Sequence, residues 1–338
     1  MPQDPTVDGS RLHVRVPAKV NLFLAVRGER DDGYHELSTV LQTVSIFDEL
    51  EVGLAGPPGQ GHHPAARRRM HLELEHDGQA GLPEGEDNLA VRAGLLLGRR
   101  TGVLDGVAEV DAAGPRTVLQ LRKSIPIAGG MAGGSADAAA ALVALNALWR
   151  CELSRQQLRE LAADLGSDVP FCVVGGTALA SGRGTSMAQV LCRGRFHWVV
   201  IPDSEPLTTA EVYRAWDERC EPSEIEPDAV LQALRSSDEV ALGAALHNDL
   251  EPAAFALRPE LADRKQRLLD AGALGAVLSG SGPTMLALAS DKSHARAVAD
   301  VVSDDLGSPI LATSPAGGPE LRGAPAPRPP REPSSPLQ

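Results

Sequence analysis

The segment Pro126–Leu142, PIAGGMAGGSADAAAAL, puts four glycines into positions 129–134 and then runs into alanine. Glycine lets the backbone take positive φ and approach a neighbour without a Cβ. Alanine is the best helix former. The switch predicts a loop that passes directly into a helix running to about Trp149, opened by Ser135. The preceding TVLQLRKSIP (117–126) alternates as a strand does. Strand, glycine loop and helix in this order admit two readings. The unpaired N–H groups and positive dipole end of the helix form an anion site wrapped by the loop. Alternatively, the glycines only close a tight turn. A Walker loop is excluded because no lysine follows the glycines, and the G-x-G-x-x-G spacing of a dinucleotide fold is absent.

Outward from this segment, strands and helices mix. RLHVRVPAKVNLFLAV (11–26) alternates and then becomes continuously apolar, which predicts strands interrupted near Pro17. RDDGYHEL is a turn, LSTVLQTVSIFDELEV and MHLELEH are strands, and EDNLAVRAGLLLGRRTG (86–102) is a helix capped by Asp87 or Asn88. Ser154 and Gln157 form a capping-box pattern for a further helix that Gly166 can end. SDVPFCVVGGTALASGRG (167–184) reads as a turn, an apolar strand and a glycine reversal. HWVVIPD is a strand, LGAVLSGSGPTMLALAS (274–290) a strand–turn–strand unit, and HARAVADVVSDDL a helix. Adjacent strands separated only by turns favour an α+β fold over a doubly wound parallel sheet. The expected division is a loose N-terminus at 1–10, a first domain at 11–180 with a loop insertion at 53–70, a second domain at 181–312, and a disordered Pro-rich tail at 313–338.

Of the 338 residues, 43% are hydrophobic and 3% aromatic, so the core rests on Leu, Val, Ile and Ala. The net charge of −13 argues against a nucleic-acid binder. Four cysteines without CxxC spacing exclude common zinc patterns and fit a reducing compartment. Neither a signal-peptide pattern nor an apolar run of spanning length is present, which predicts a cytoplasmic protein without a membrane partner. His62, His63 and Arg67–Arg69 sit among glycine and proline and read as a solvated loop.

Three stretches together resemble the motifs of the GHMP kinases, in the order that family has them: PAKVNLFLAVRGERDDGYHEL (17–37), PIAGGMAGGSADAAAAL, and LSGSGPTMLAL (278–288). The combination of PAK-N-L-L, GYHEL and LGSDVPF is similar to the 4-diphosphocytidyl-2-C-methyl-D-erythritol kinases within it. The resemblance implies a two-domain fold, with a ribosomal-protein-like ATP-binding N-terminal domain and a ferredoxin-like C-terminal domain. It implies transfer of the ATP γ-phosphoryl group, with Mg2+, to the 2-hydroxyl of a cytidine-diphosphate-linked polyol. The sequence departs from the family at Met131–Ala132, where Leu-Gly is usual. Methionine can fill leucine's space, whereas alanine is expected to hold that position at negative φ.

Carried over residue by residue, the resemblance makes Asp168 the general base and Lys19 its catalytic partner, which keeps the carboxylate ionised and offsets charge on the transferred group. Without it, Asp168 reads as a turn or cap residue and Lys19 as a surface lysine. The ATP loop is implied to run over Pro126, Ile127, Ala128, Gly129, Gly130, Met131, Ala132, Gly133, Gly134, Ser135 and Ala136, with Ser135 as a contact to Mg2+ or simply a helix cap. Tyr34 and His35 are implied readers of cytosine, with Tyr213 on the other face of the base, and Asn21 a substrate contact or a partner of the neighbouring loop. DNLA (87–90) frames the adenine pocket or caps a helix, and SGSGPT (279–284) is a second glycine loop or a hairpin turn. Mevalonate-pathway and homoserine kinases are the enzymatic rivals but lack the GYHEL and LGSDVPF pair. A non-catalytic relative should have lost Lys19 or Asp168.

Overall fold

The computed structural model describes residues 11–55, 71–76, 82–83, 85–104, 116–127, 129–184, 186–203 and 205–322. The expectations for 1–10, for most of the 53–70 loop, for Ala128 and for 323–338 lie outside these residues.

Two sheets carry the architecture. The first is built on two long antiparallel strands, β1 (Leu12–Glu29) and β2 (His35–Ala55), in the order β12-β1-β2-β4-β3. Here β3 is His71–His76, β4 Arg116–Arg122 and β12 Glu320–Arg322. The hairpin β5 (Thr177–Gly182) and β6 (Ser186–Gln189) adds to the distal half of β2, and β8 (His247–Asn248) runs parallel to β1. The second sheet has the antiparallel order β11-β7-β10-β9, from β7 (Phe196–Ile201), β9 (Gly275–Leu278), β10 (Met285–Ala289) and β11 (Ile310–Ser314). Its chain order, strand–helices–strand–strand–helix–strand, is the split β-α-β-β-α-β plan expected for the second domain.

The helices are α1 (Leu89–Thr101), α2 (Gly133–Leu148), α3 (Arg155–Ala162), α4 (Val169–Val174), α5 (Thr209–Arg219), α6 (Asp228–Ser236), α7 (Glu239–Ala245), α8 (Glu251–Leu257), α9 (Glu260–Asp270) and α10 (Lys292–Leu306). The alanine run explains itself here. Helix α2 lies between α1, α4, β1 and β2, and Ala136, Ala138–Ala141 and Ala144 are fully buried. A helix covered on all sides needs apolar residues all round, and small ones let its neighbours approach. The capping box at Ser154 and Gln157 forms as read, and Asn88 caps α1 by accepting from the Ala90 N–H.

β1 does not break at Pro17. It continues through register shifts at Pro17/Ala18 and Asn21/Phe23, which bracket Lys19 and Asn21. Such irregularities re-aim side chains where a regular pleat could not. The strand also links the two cores: Val14 to Leu22 pack under α2, while Leu24 and Val26 join the cluster beneath the second sheet.

Further expectations are corrected. The apolar run 169–174 is a helix, α4, not a strand; its Pro170 in the first turn suits a helix start, and a short apolar run has no period to separate the two. The division at 180 cuts β5, whose partner β6 still belongs to the first sheet. Order also continues past 313. β11 ends at Ser314, and β12 pairs with β1 through His13–Arg322, Val14–Leu321 and Arg15–Glu320. Backbone pairing at a sheet edge requires little apolar side chain, so composition did not reveal it. Finally, Ser135 does not open α2: the N-cap is Ala132, at φ 55°, ψ 36°.

That last angle overturns the expectation of negative φ. Alanine in the left-handed region is strained by about 1–2 kcal/mol. Ala132→Gly should therefore stabilise the fold by roughly 0.5–1 kcal/mol, part of the relief being lost to the greater entropy of the unfolded chain. Urea denaturation of the two proteins measures this; an unchanged or lower midpoint would show that the neighbours have already absorbed the strain.

Candidate active site

A cavity of about 900 Å3 opens between the two units. Its walls include Lys19, Asn21, Tyr34, His35, Gly129, Gly130, Ala132–Gly134, Asp168, Arg183, Tyr213 and Gly280–Gly282. The three glycine- and lysine-bearing stretches, distant in sequence, converge here. The Lys19 N–H donates to the Met131 carbonyl at 3.2 Å, tying β1 to the glycine loop. The Ser279 hydroxyl donates to the Gly130 carbonyl at 3.1 Å, tying the 279–284 turn to the same loop. Asn248, buried beneath, holds that turn by donating to the Leu278 and Gly280 carbonyls at 2.9 and 2.7 Å.

Lys19 Nζ stands 3.4 Å from Asp168 Oδ2, and the lysine side chain is only 7% exposed. Lys19 also donates to Asn21 Oδ1 at 2.9 Å. Asn21 Nδ2 donates to Thr39 Oγ1 at 2.8 Å, and the Thr39 hydroxyl donates to the Phe23 carbonyl at 2.6 Å. This chain fixes where the ammonium points. Asn21 thus spends its amide on Lys19 and Thr39. Asp168 occupies the N-cap position of α4, yet its side chain makes no capping hydrogen bond. Its carboxylate is therefore available to the cavity, and the cap reading falls away.

The aromatic end of the cavity is ordered by His35. Its ring lies 4.6 Å from that of Tyr213 and meets Trp216 edge-on at 5.6 Å. His35 Nε2 bonds Asp217 Oδ1 at 2.7 Å, which leaves Nδ1 for another partner. Tyr34 is half exposed, at 51%, with the Arg183 guanidinium over its ring. Burial, and then the charge of Asp168, push the Tyr213 hydroxyl well above its ordinary pKa, so that it stays protonated.

Under the glycine loop lies a group that the sequence reading missed. Lys123, on the cavity wall, bonds Asp48 and, at 2.7 Å, Asp137 of α2. Asp48 also accepts from the Ser124 and Ile125 N–H groups at 2.6 and 2.9 Å, so it fixes the chain entering the loop. Burial works against the Lys123 charge, but Asp137 and Asp48 outweigh it and hold the ammonium above its usual value. Burial pushes the Asp137 carboxyl up; Lys123 opposes this and Asp48 adds to it. One charged residue inside an alanine run was the available signal, because such a residue demands a buried partner.

The two aspartates should respond differently. Asp48→Ala leaves two backbone donors and an ammonium short of their acceptor and should cost about 3–5 kcal/mol. Asp137→Asn keeps shape and a hydrogen-bonding oxygen and should cost under about 1 kcal/mol. Chemical denaturation of both variants checks this, and equal losses would refute the asymmetry.

Of the other expected ATP-loop residues, Pro126 and Ile127 line the cavity, whereas Met131 and Ala136 are buried beneath it. Ser135 is half-buried and is not part of the cavity wall. Asn88 lines the wall and also caps α1. Among the described residues, no helix is long and apolar enough to cross a membrane.

Residues 88–176 match the GHMP kinases N terminal domain, and residues 230–307 match the GHMP kinases C terminal domain. A 4-diphosphocytidyl-2-C-methyl-D-erythritol kinase of Mycolicibacterium gilvum is 44% identical over 309 residues, covering 89% of this chain and 88% of the relative. One from Thermobifida fusca is 47% identical over 291 residues, covering 85% and 89%. A crystal structure of 4-(cytidine 5'-diphospho)-2C-methyl-D-erythritol kinase superposes with a TM-score of 0.70 at 34% identity, over 90% of this chain and all of the other. A homoserine kinase from Cytophaga hutchinsonii shares the fold, with a TM-score of 0.69 at 18% identity over 94% and 99%. With three motif loops converged on one cavity and this degree of likeness over most of its length, the chain belongs to the 4-diphosphocytidyl-2-C-methyl-D-erythritol kinases of the GHMP kinase family.

Proposed function

We propose that this chain transfers the γ-phosphoryl group of ATP to the 2-hydroxyl of 4-diphosphocytidyl-2-C-methyl-D-erythritol, in the methylerythritol phosphate route to isoprenoid precursors. The observation that carries the reading is the Lys19–Asp168 pair, 3.4 Å apart, set on a cavity that has glycine loops at one end and an aromatic cluster at the other.

Phosphoryl transfer asks a protein mainly for positioning and charge stabilisation. Asp168 Oδ2 accepts the proton of the attacking hydroxyl. Lys19 offsets negative charge on the transferred group, held in place by Asn21 and Thr39. Of the two readings of Asn21, a substrate contact or a partner of the neighbouring loop, its bonds to Lys19 and Thr39 favour a positioning role. The loop 126–136 and the first turn of α2 offer backbone N–H groups to the triphosphate. Tyr34, His35 and Tyr213 read cytosine, with Asp217 fixing the histidine tautomer.

Mg2+ fits the phosphate end. Asp137 Oδ1 is buried on the cavity wall side of α2 with no hydrogen-bond partner, whereas Ser135, two residues earlier, is off that wall. The Asp137 oxygen, in place of the Ser135 hydroxyl expected from sequence, would hold a hard cation that otherwise keeps water and nucleotide phosphates as ligands. When bound, the ion neutralises charge on the phosphates.

A coupled ADP-release assay with the cytidyl polyol, mevalonate, homoserine and galactose tests the function. Turnover with the first alone is expected. Turnover with another of them would reassign the substrate, and none with any despite ATP binding would remove the enzymatic reading.

A further inference from the structure

Three cations and one histidine line the cavity among the described residues, and they differ in how they are committed. Lys19 pairs with Asp168, Lys123 bonds two carboxylates, and His35 bonds Asp217. Arg183 is the exception: it pairs with no carboxylate among the described residues, and its guanidinium carbon sits 3.6 Å from the centre of the Tyr34 ring.

Its position is built. Arg183 occupies the tip of the β5–β6 hairpin, between Gly182 and Gly184, both at positive φ (68° and 85°). The Gly182 N–H donates to Glu36 Oε1 at 3.0 Å, anchoring the tip to the start of β2. On its other side the tip faces the turn that carries Asp168: a Cβ on Gly184 would lie 4.0 Å from the Ser167 Cβ. The hairpin tip thus reaches the Tyr34 ring through Arg183 and the Ser167–Asp168 turn through Gly184. The proposed substrate has a base at one end, a reacting hydroxyl at the other, and a diphosphate between them.

We infer that Arg183 binds the diphosphate of the cytidyl substrate. The inference rests on the cytosine reading given above. The diphosphate must cross a wall whose two lysines are already committed, Lys19 to Asp168 and Lys123 to Asp48 and Asp137. Of the cations on that wall, Arg183 is the one with no carboxylate partner among the described residues to compete with the phosphates. A guanidinium can lie flat on an aromatic ring and still present N–H donors at its edge to phosphate oxygens, which an ammonium cannot do. The stack on Tyr34 holds the fork in place, so that base reading and diphosphate reading share one rigid unit. Sequence reading passed over Arg183 because glycine–arginine–glycine at a hairpin tip looks like any solvated turn.

Calorimetric titration of the full chain with cytidine and with cytidine diphosphate, in wild type and Arg183→Gln, tests this. The wild type should bind the diphosphate more tightly than the nucleoside. Arg183→Gln should shrink that ratio by about tenfold, leave cytidine binding within about twofold, and raise KM for the cytidyl polyol while KM for ATP holds. Arg183→Lys should recover part of the ratio, having charge without the planar fork. An unchanged ratio in Arg183→Gln would overturn the assignment while leaving the cytosine reading intact. Equal weakening of cytidine and cytidine diphosphate would reduce Arg183 to packing on Tyr34 and also overturn it. Failure of the wild type to bind either ligand would overturn the assignment and the cytosine reading together.

Discussion

Asp168→Asn is expected to lower kcat by about 10²–10⁴-fold, the range that a lost general base commands. Asparagine keeps the shape of the side chain and cannot accept the proton. The effect should be chemical and local for three reasons. The carboxylate contributes no capping bond to α4, so the fold loses little. Lys19 remains held by Asn21. The glycine loop is tied to β1 and to the 279–284 turn by bonds that do not involve Asp168. ATP binding should therefore be preserved. Single-turnover kinetics with a direct nucleotide titration separates the two, and near-normal kcat would remove Asp168 from the role of base.

Gly130→Ala should be the most damaging single-methyl change in the phosphate loop. Gly130 has φ 73°, and a Cβ there would lie 2.0 Å from the Ser279 carbonyl oxygen and 3.1 Å from Gly282 backbone atoms. Backbone cannot swing aside as a side-chain tip can, so one of the two glycine loops must shift. A displacement near 1 Å at a reacting centre costs on the order of 100-fold in rate. We expect kcat/KM to fall by about that factor or more and the unfolding midpoint to drop. Gly134→Ala is the control in the same loop, since its Cβ would meet only Leu89 Cδ1 at 3.4 Å inside a helix. It should fold at least as well as wild type. Equal effects at the two positions would mean that the contact with Ser279 is not what sets the loop.

Much of this was legible in the sequence because local rules and the fold agreed. The alternation at the start of β1, the β-branched residues of β2, the capping box at Ser154, and the glycine-to-alanine switch each named their element. The three loops were legible as parts, and the family resemblance supplied their convergence. What stayed hidden depends on partners remote in sequence. Asp48 sits in an ordinary strand until Lys123, 75 residues on, arrives beneath the loop. Asp217 reads as a solvated helix residue until His35 is placed against it. Helix α4 has no period to betray it. Ala132 defied its own conformational preference because the loop before α2 must turn left-handed to bring the first turn of that helix to the cavity.

The pairing of β12 with β1 has a bearing on biogenesis. The edge of the first sheet is supplied by residues synthesised after the whole second sheet, so the ribosome must finish both units before the earlier one can close. β1 meanwhile waits with Leu24 and Val26 committed to a core whose other half has not yet emerged. Until then Leu24 and Val26 and the edge at His13–Arg15 lack their late partners, the kind of surface that chaperones bind. The two units are therefore better regarded as one late-closing cooperative body than as independently folding modules.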